Sequence, residues 1–455
     1  MKNRIKELLR KFKDRVDYLE LRIEEIENSG MVYTGKTLSS LSQSESIGGA
    51  IRACHNGGWG FCSFVNLDHA ESMIQKAIEQ AKLFQKDRTY LASCEVVEED
   101  VKAVIIDDPR NYSLEKKLKI MKEYMEIVMN IDPVIKTCEV YYGDTFKNVY
   151  FGNSDGTLIS QEKLDLSFAV RMNAQKNGVI QSMHFSDGSS NNYGIVKNRQ
   201  KDVEKSCKKI LELIESPAVK GGIYPVIVNQ SLGGTFVHEA FGHTSEADVY
   251  MDNKQMRDNF TLGKELGSPI LNIFDSGIDI GSRGYLKYDD EGVRTEKTYL
   301  IKNGNLCGRL HSRESAGKFN EKPTGNARAV DYRFPPICRM RNTAVDNGTS
   351  TFEELLDGID LGVYAIDSYG GMGGEQFSFV ALYGYMIRNG KLAELVRNVS
   401  LSGNLFKTLK NIDAIGNDYE IPEGAGGCGK GSQFPLPVAG SSPHFRIKEI
   451  TVGGV

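Results

Sequence analysis

The sequence predicts an α+β protein, with a mixed first half of helices and antiparallel strands followed by a Gly-rich, mainly β second half. Three observations support this fold class. Apolar residues recur at helical spacing over 68–84, 113–129 and 199–214. Alternating runs, such as YLELRI at 18–23 and the span 135–186, indicate strands that are segregated from those helices. After residue 218, short apolar runs end in Asn-Gly turns and predict a curved, barrel-like sheet.

The first half opens with a charged helix whose apolar positions share one face. The residues predicted to be buried there are Ile5, Leu8, Leu9 and Phe12. Ser216-Pro217 ends the last helix of this half, because proline biases the preceding residue away from helical geometry. We therefore predict an N-terminal α+β domain at 1–217. The C-terminal domain at 218–455 is predicted to be mainly β and to carry a short distorted metal-binding helix.

Composition narrows the class of protein. The 455 residues include 56 Lys and Arg against 60 Asp and Glu, so the formal net charge is only -4. A nucleic-acid-binding protein would carry a basic excess, so we expect no nucleic-acid partner. We expect no membrane span, because no apolar run is long enough to cross a bilayer. The eight cysteines form no CxxC pair, which predicts reduced thiols and a cytoplasmic location.

The residues that carry chemistry cluster in TFVHEAFGHTSEAD at 235–248. His238, His243 and the carboxylate of Glu239 meet the needs of a Zn²⁺ site with a general base. Histidines five positions apart lie roughly 140° apart on a regular α-helix, so they cannot bind one ion from it. A π-type turn brings them together, and Gly242 permits such a distortion. We predict a departure from α geometry over 240–243; the alternative is an ordinary helix with one half-buried and one exposed histidine.

A site with two histidines needs a third protein ligand. Residue type alone leaves six candidates: Glu246, Asp248, His311, Cys338, Cys428 and His444. Cys428 stands out because the glycines of EGAGGCGKG expose its sulfur and let it approach a site. Lys430 is expected to help hold the thiolate. Glu246 and Asp248 are also candidates to orient the imidazoles as hydrogen-bond acceptors.

The run HEAFGHTSEAD, together with GCGKGSQFPLPVAGSSPHFRI near the C-terminal end, resembles the TldD/PmbA family of peptidases, also called modulator of DNA gyrase proteins. The stretches YDDEGVRTEKT, SAGKFNEKPTGNAR and PICRMRNT fit the same family, and GAIRACHNGGWGFCSF matches weakly but in the expected order. The likeness thus covers nearly the whole chain. Within the family, the full H-E-x-x-x-H motif is typical of the TldD branch, and the other branch lacks it.

This resemblance implies roles for particular residues. His238, His243 and Cys428 would be the ligands of one Zn²⁺ per chain, and Glu239 would be the catalytic carboxylate. The family also implies peptide cleavage by a two-domain subunit that forms a homodimer or a heterodimer with a related subunit. His444 lies where the family pattern requires no histidine, and it is expected not to be a ligand.

We therefore predict a zinc-dependent metallopeptidase that hydrolyses unfolded or extended peptides. Zinc would activate a water for attack on the peptide carbonyl, and Glu239 would accept its proton and pass it to the leaving amine. An extended peptide would add to an exposed sheet edge near the glycines at 370–374. Two alternatives stay open. One is a metal-dependent amide hydrolase with a small-molecule substrate in a closed cavity, and the other is a non-catalytic regulatory or binding subunit without a metal.

Overall fold

The computed structural model describes residues 1–84, 90–251 and 253–454, and its first half is one large sheet covered by helices. Its strands are β1 (Tyr18–Thr34), β2 (Thr37–His55), β3 (Gly58–Phe64), β4 (Glu98–Val101), β5 (Ile135–Asn153), β6 (Leu158–Lys176) and β7 (Val179–Ser189). Its helices are α1 (Lys2–Phe12), α2 (Ala70–Leu83), α3 (Leu114–Ile131) and α4 (Gln200–Glu215). The strand order is β3-β2-β1-β5-β6-β4, with β7 also on β6, and every pair except β4–β6 is antiparallel.

The helices of the first half pack on a single face of this sheet. Successive residues of a strand point to opposite faces, and on β1 the apolar side chains at 19, 21, 23, 31 and 33 all lie in the helix-covered core. The opposite face carries charged residues that meet the second half of the chain. Arg22 donates to the carbonyl oxygen of Asp331 at 2.9 Å, and Arg52 pairs with Glu291 at 2.5 Å. The four residues predicted to be buried on α1 are indeed buried.

The second half consists of shorter elements. Its strands are β8 (Gly222–Val228), β9 (Ile273–Ser276), β10 (Lys297–Lys302), β11 (Asn305–Leu306), β12 (Ala327–Arg328), β13 (Ile337–Cys338), β14 (Asn342–Val345), β15 (Leu361–Met372), β16 (Gln376–Arg388), β17 (Lys391–Val396), β18 (Ser400–Asn404), β19 (Ile412–Ile415), β20 (Cys428–Lys430), β21 (Gln433–Leu436), β22 (Ala439–Ser441) and β23 (Phe445–Gly453). Its helices are α5 (Gln230–Phe236), α6 (His243–Ser245), α7 (Lys254–Asn259), α8 (Arg313–Phe319), α9 (Phe352–Leu356) and α10 (Leu405–Lys410), with a π-helix at Val237–Gly242.

The main sheet of the second half closes on itself, which confirms the barrel-like expectation. Its order is β15-β8-β23-β18-β16-β17, and β15 also pairs with β16. The helix α5 is anchored to this sheet through Phe236, whose ring lies 5.2 Å, 5.8 Å and 6.1 Å from three phenylalanine rings on β16 and β23. The segment that follows α5 is therefore held firmly against the barrel.

The structure confirms the predicted α+β fold class. Among the described residues, each named sheet draws its strands entirely from before residue 190 or entirely from after residue 221. The division into two domains at 217/218 itself stays a prediction. No helix within the described ranges is both long and apolar enough to cross a membrane.

Candidate metal centre

The helix α5 changes from α to π geometry where the two histidines lie. Asn229 caps α5 by accepting the backbone N–H of Leu232 at 3.1 Å, and the π-helix covers Val237–Gly242. This confirms a departure from α geometry, which begins at Val237 instead of Ala240 and ends one residue before His243, and i to i+5 hydrogen bonding places residues five apart on one side. The rings of His238 and His243 are 5.3 Å apart and nearly perpendicular, at 85°.

Glycines let this helix lie against neighbouring segments. A Cβ on Gly242 would stand 2.0 Å from the sulfur of Met340, and a Cβ on Gly234 would stand 2.5 Å from the carbonyl carbon of Gly440. Larger residues would push the helix away from β14 and β22 and would move the histidines with it. The glycines therefore act through close packing.

Cys428 reaches the two histidines from the start of β20. Its sulfur lies 3.5 Å from His243 Nε2, and the ligand atoms of the three residues all lie within 4.8 Å of one another. Tetrahedral Zn²⁺ with bonds of about 2.0–2.3 Å would separate its nitrogen and sulfur ligands by about 3.6 Å. The donor set and its spacing therefore fit zinc. Contrary to expectation, the flanking glycines do not expose Cys428, which is 4% exposed.

The cysteine and His243 form an ion pair when no metal is bound. Burial raises the pKa of the Cys428 thiol, but hydrogen bonds and charges from His238 and His243 outweigh it and lower the pKa to about 5. Burial lowers the pKa of His243, but hydrogen bonds to Cys428 and Glu246 outweigh it and raise the pKa to about 10. The sulfur is thus a thiolate at neutral pH, the form that binds metals.

Glu239 lies beside this cluster but is not part of it. Its Oε2 is 3.9 Å from His243 Nε2, and its side chain is 35% exposed. The tip of the β15–β16 hairpin packs on its backbone, where a Cβ on Gly373 would stand 1.8 Å from the Glu239 carbonyl oxygen. Glu239 also lines the cavity described below, while its backbone is held in place by this contact.

Three charged residues lie behind the histidines. Glu246 is fully buried, and its Oε2 accepts from His243 Nδ1 at 3.2 Å, as expected of an orienting acceptor. Asp248 instead binds Lys430 Nζ at 2.6 Å and the backbone N–H of Cys338 at 3.2 Å. The expected contact between Lys430 and the Cys428 thiolate is wrong. Lys430 instead pairs with two carboxylates, that of Asp248 and that of Glu246, the latter at 3.0 Å. A buried ammonium group is stabilised by several acceptors.

The remaining candidate ligands lie outside the cluster. His311 is buried, with its ring nitrogens 3.0 Å from Ser315 Oγ and Glu321 Oε2. Cys338 is buried beneath it, and burial raises the pKa of its thiol to about 12. His444 Nδ1 is 2.6 Å from Asp418, and its Nε2 is 2.8 Å from the Tyr364 hydroxyl, so its expected non-ligand status agrees with its position.

Two arginines that the sequence did not single out hold the Cys428 segment. Arg339 is fully buried and donates to the carbonyl oxygen of Cys428 at 2.7 Å. Arg283 pairs with Asp165 at 2.7 Å and donates to the carbonyl oxygens of Gly424, at 2.7 Å, and Gly426. Neither arginine is near Cys428 in the sequence, so no local pattern could have identified these contacts.

The candidate centre opens into a cavity of about 840 Å³ between the two halves of the chain. His238, Glu239 and Cys428 line one wall, and the opposite wall comes from β6, β7 and α4. The strand β7 pairs only with β6, and beyond Ala365 β15 pairs only with β16. Two strand edges without a further strand among the described residues therefore border the cavity.

Three family models match successive parts of the chain: PmbA/TldA metallopeptidase domain 1 over 19–81, the central domain over 107–214 and the C-terminal domain over 221–454. A metalloprotease of Synechocystis sp. is 40% identical over 450 residues, 98% of this chain and 97% of that protein. The zinc metalloprotease TldD homolog of Saccharolobus solfataricus is 29% identical over 414 residues, 90% of each chain.

Two solved structures share the fold. TldE from Thermococcus kodakarensis superposes with a TM-score of 0.81 at 17% identity, covering 99% of this chain and 100% of that one. A protein of Thermotoga maritima, described as a candidate modulator of a DNA gyrase, has a TM-score of 0.80 at 20% identity, with 99% of each chain covered.

Proposed function

This chain belongs to the PmbA/TldD metallopeptidase family, and on that premise we propose that it is a zinc-dependent peptidase that cleaves unfolded or extended peptides. The observation that carries the proposal is the convergence of His238, His243 and Cys428 beside Glu239, at the wall of a cavity bordered by strand edges. A site used only for structure would have no need of a carboxylate that faces a cavity.

In this proposal His238, His243 and Cys428 hold one Zn²⁺ per chain. The name of the Saccharolobus solfataricus relative includes zinc, which supports this choice of metal. When bound, zinc supplies a Lewis acid that lowers the pKa of water and polarises a carbonyl oxygen. Glu246 keeps the His243 ring in one orientation, because its carboxylate accepts the Nδ1 hydrogen and leaves Nε2 directed at the cluster.

Glu239 acts as the proton carrier. It lies next to a ligand histidine without joining the cluster, so its carboxylate oxygens stay available for a proton. It accepts the proton of the attacking water and later donates it to the leaving amine. The contact between its backbone and Gly373 holds it at a constant place relative to the cavity.

The substrate binds as an extended strand. Backbone N–H and C=O groups at an unpaired strand edge can bond a peptide whatever its side chains are, but only if the peptide backbone is free. The edges of β7 and β15 border the cavity and offer this mode of binding. A flexible peptide is therefore expected to be cleaved, and the same sequence inside a folded domain is expected to be spared; equal cleavage of both would contradict this substrate class.

The central test compares metal content and peptide cleavage in three proteins. Glu239→Gln is expected to keep its zinc and to lose about 10²–10⁴-fold in kcat, the usual contribution of a general base. Cys428→Ser is expected to lose both zinc and activity. Cys207→Ser is the matched control, because Cys207 is also a buried free cysteine but lies in α4 outside the cluster.

The outcomes separate the alternatives. A wild-type protein that holds no metal and cleaves nothing would favour a non-catalytic subunit, and full cleavage by Glu239→Gln would remove Glu239 as the proton carrier. Unchanged metal content in Cys428→Ser would remove the cysteine from the ligand set. Cleavage of small amides but of no peptide would favour a small-molecule hydrolase.

Partner and location remain part of the proposal. The chain is proposed to pair with a second copy of itself or with a related subunit. This is supported by the structural neighbour TldE, a separate protein that has the same fold. Light scattering, which measures the molar mass in solution, tests this pairing on the purified chain alone and mixed with such a relative. All eight cysteines are free, which is in keeping with a cytoplasmic location.

A further inference from the structure

The lysine behind the centre connects the two chain segments that carry the ligands. Lys430 follows Cys428 by two residues on β20, and its Nζ lies 2.6 Å from Asp248, 3.0 Å from Glu246 and 2.9 Å from the carbonyl oxygen of Cys338. Its three hydrogen bonds go to both carboxylate oxygens of Asp248, at 2.6 Å and 2.8 Å, and to the Cys338 carbonyl oxygen, while Glu246 is held as an ion pair. Lys430 Nζ therefore connects strand β20, which carries Cys428, to Glu246 and Asp248 in the segment that follows His243.

We propose that Lys430 is a positioning residue that sets where the Cys428 sulfur meets His243. Glu246 mediates the effect, since its Oε2 accepts from His243 Nδ1 at 3.2 Å and also pairs with Lys430. Cys428 is thus linked to His243 in two ways: directly, by the 3.5 Å contact between Sγ and Nε2, and indirectly, through strand β20, Lys430 and Glu246. The proposal rests on the proposed metal site and adds a residue that touches neither metal nor substrate.

Burial makes this tether rigid. Glu246 is fully buried, and the Lys430 side chain is only 20% exposed, so water competes weakly for these groups. Removing the ammonium would leave a buried carboxylate without its cation, and that carboxylate would turn toward other donors. The His243 ring and the β20 strand would then be free to shift independently.

The test measures binding of Co²⁺ alone, which reports a thiolate ligand through a near-ultraviolet charge-transfer band. Lys430→Met is expected to weaken Co²⁺ affinity about 10–100-fold, the usual effect of losing a group that orients a ligand, and to weaken the band. Glu246→Gln is expected to do the same. Because both act through one path, the double variant should lose no more than the larger single loss.

The matched control is Lys117→Met. Lys117 is a still more deeply buried lysine, 5% exposed against 20% for Lys430, and it lies in α3 at 2.7 Å from Asp144. It should change stability without changing Co²⁺ affinity or the band. Wild-type affinity in Lys430→Met, or an equal loss in Lys117→Met, would overturn the proposal.

The wild-type protein and Cys428→Ser are measured first. If the wild type shows no band that depends on Cys428, the proposed metal site fails and the positioning role fails with it. If that band is present and Lys430→Met retains it at full strength, only the positioning role fails. If Lys430→Met does not fold, the same comparison is made with Lys430→Gln, whose amide keeps two N–H donors but carries no charge.

Discussion

The helix-covered sheet of the first half and the metal centre of the second half are stabilised in different ways. In the first half, strands as long as the 19 residues of β5 alternate buried and less buried side chains, and a large apolar cluster lies between sheet and helices, with the Lys117–Asp144 ion pair buried beside it. Around the centre, strands are as short as 2–4 residues, and the buried groups include Arg341 and Asp275, both fully buried and paired at 3.0 Å. Apolar packing dominates the first region, whereas around the metal centre apolar packing is combined with many buried hydrogen bonds and ion pairs.

This contrast explains where the chain departs from regular geometry. Where a strand buries every second side chain, an unbroken strand keeps all of its apolar residues on the buried face. A region that must bring two imidazoles, a thiolate and a carboxylate together uses a π-helix, close glycine contacts and buried charges instead. Departures from local rules therefore concentrate at the candidate site, as expected when function requires them.

The largest expected effect belongs to the apolar region. Leu21 is fully buried on β1, opposite Ile51, and Leu21→Ala should lower the free energy of unfolding by about 2–5 kcal/mol through lost burial and a cavity. Urea unfolding measures this loss. The metal affinity of the folded variant should equal that of the wild type, and a drop in affinity would show that the two regions are coupled.

The second effect belongs to the metal centre and concerns pH. The pKa of His243 is raised to about 10 without metal, so the ring is protonated between pH 7 and 9 and must lose its proton to bind a metal ion. Cys428, with a pKa of about 5, is already a thiolate and releases none. Metal affinity should therefore rise about tenfold per pH unit, or about 100-fold from pH 7 to 9, which equals ~2.7 kcal/mol.

Competition with a chelator of known affinity across this pH range measures the slope. Glu246→Gln provides the comparison, since the carboxylate helps to raise the pKa of His243, and its loss should flatten the slope. A flat profile in the wild type would contradict the ion pair between His243 and Cys428. Leu21→Ala should follow the wild-type profile.

The third and smallest effect is the difference between the costs of substituting two glycines, Gly234 in α5 and Gly242 at the end of the π-helix. A Cβ at Gly242 meets the flexible sulfur of Met340, whereas a Cβ at Gly234 meets the backbone of Gly440. We expect Gly242→Ala to cost about 1 kcal/mol and Gly234→Ala about 3 kcal/mol, because a methionine side chain can move and a backbone cannot. Thermal unfolding measures both. Equal costs would mean that the helix itself shifts in each variant.

Much of the first half could be predicted from its periodicity. The helices expected at 68–84, 113–129 and 199–214 are observed at Ala70–Leu83, Leu114–Ile131 and Gln200–Glu215. The strand expected at 18–23 extends to Thr34, because β1 is paired along both edges and pairing continues past the apolar run. Sheet pairing depends on neighbours that are distant in sequence, so local patterns located the strand but not its end.

The amino-acid sequence by itself determined the fold class, the family, the pair of histidines and the need for a π-type turn between them. The fold class, the histidine pair and the π-type turn follow from local periodicity and spacing, which act over a few residues, whereas the family follows from the resemblance of whole motifs. Only the tertiary structure brought Cys428 to His243 across 185 residues and turned Lys430 toward Glu246 and Asp248. The physical reason is that contacts between distant segments depend on how the barrel closes and which buried charges find partners, and no local pattern encodes either.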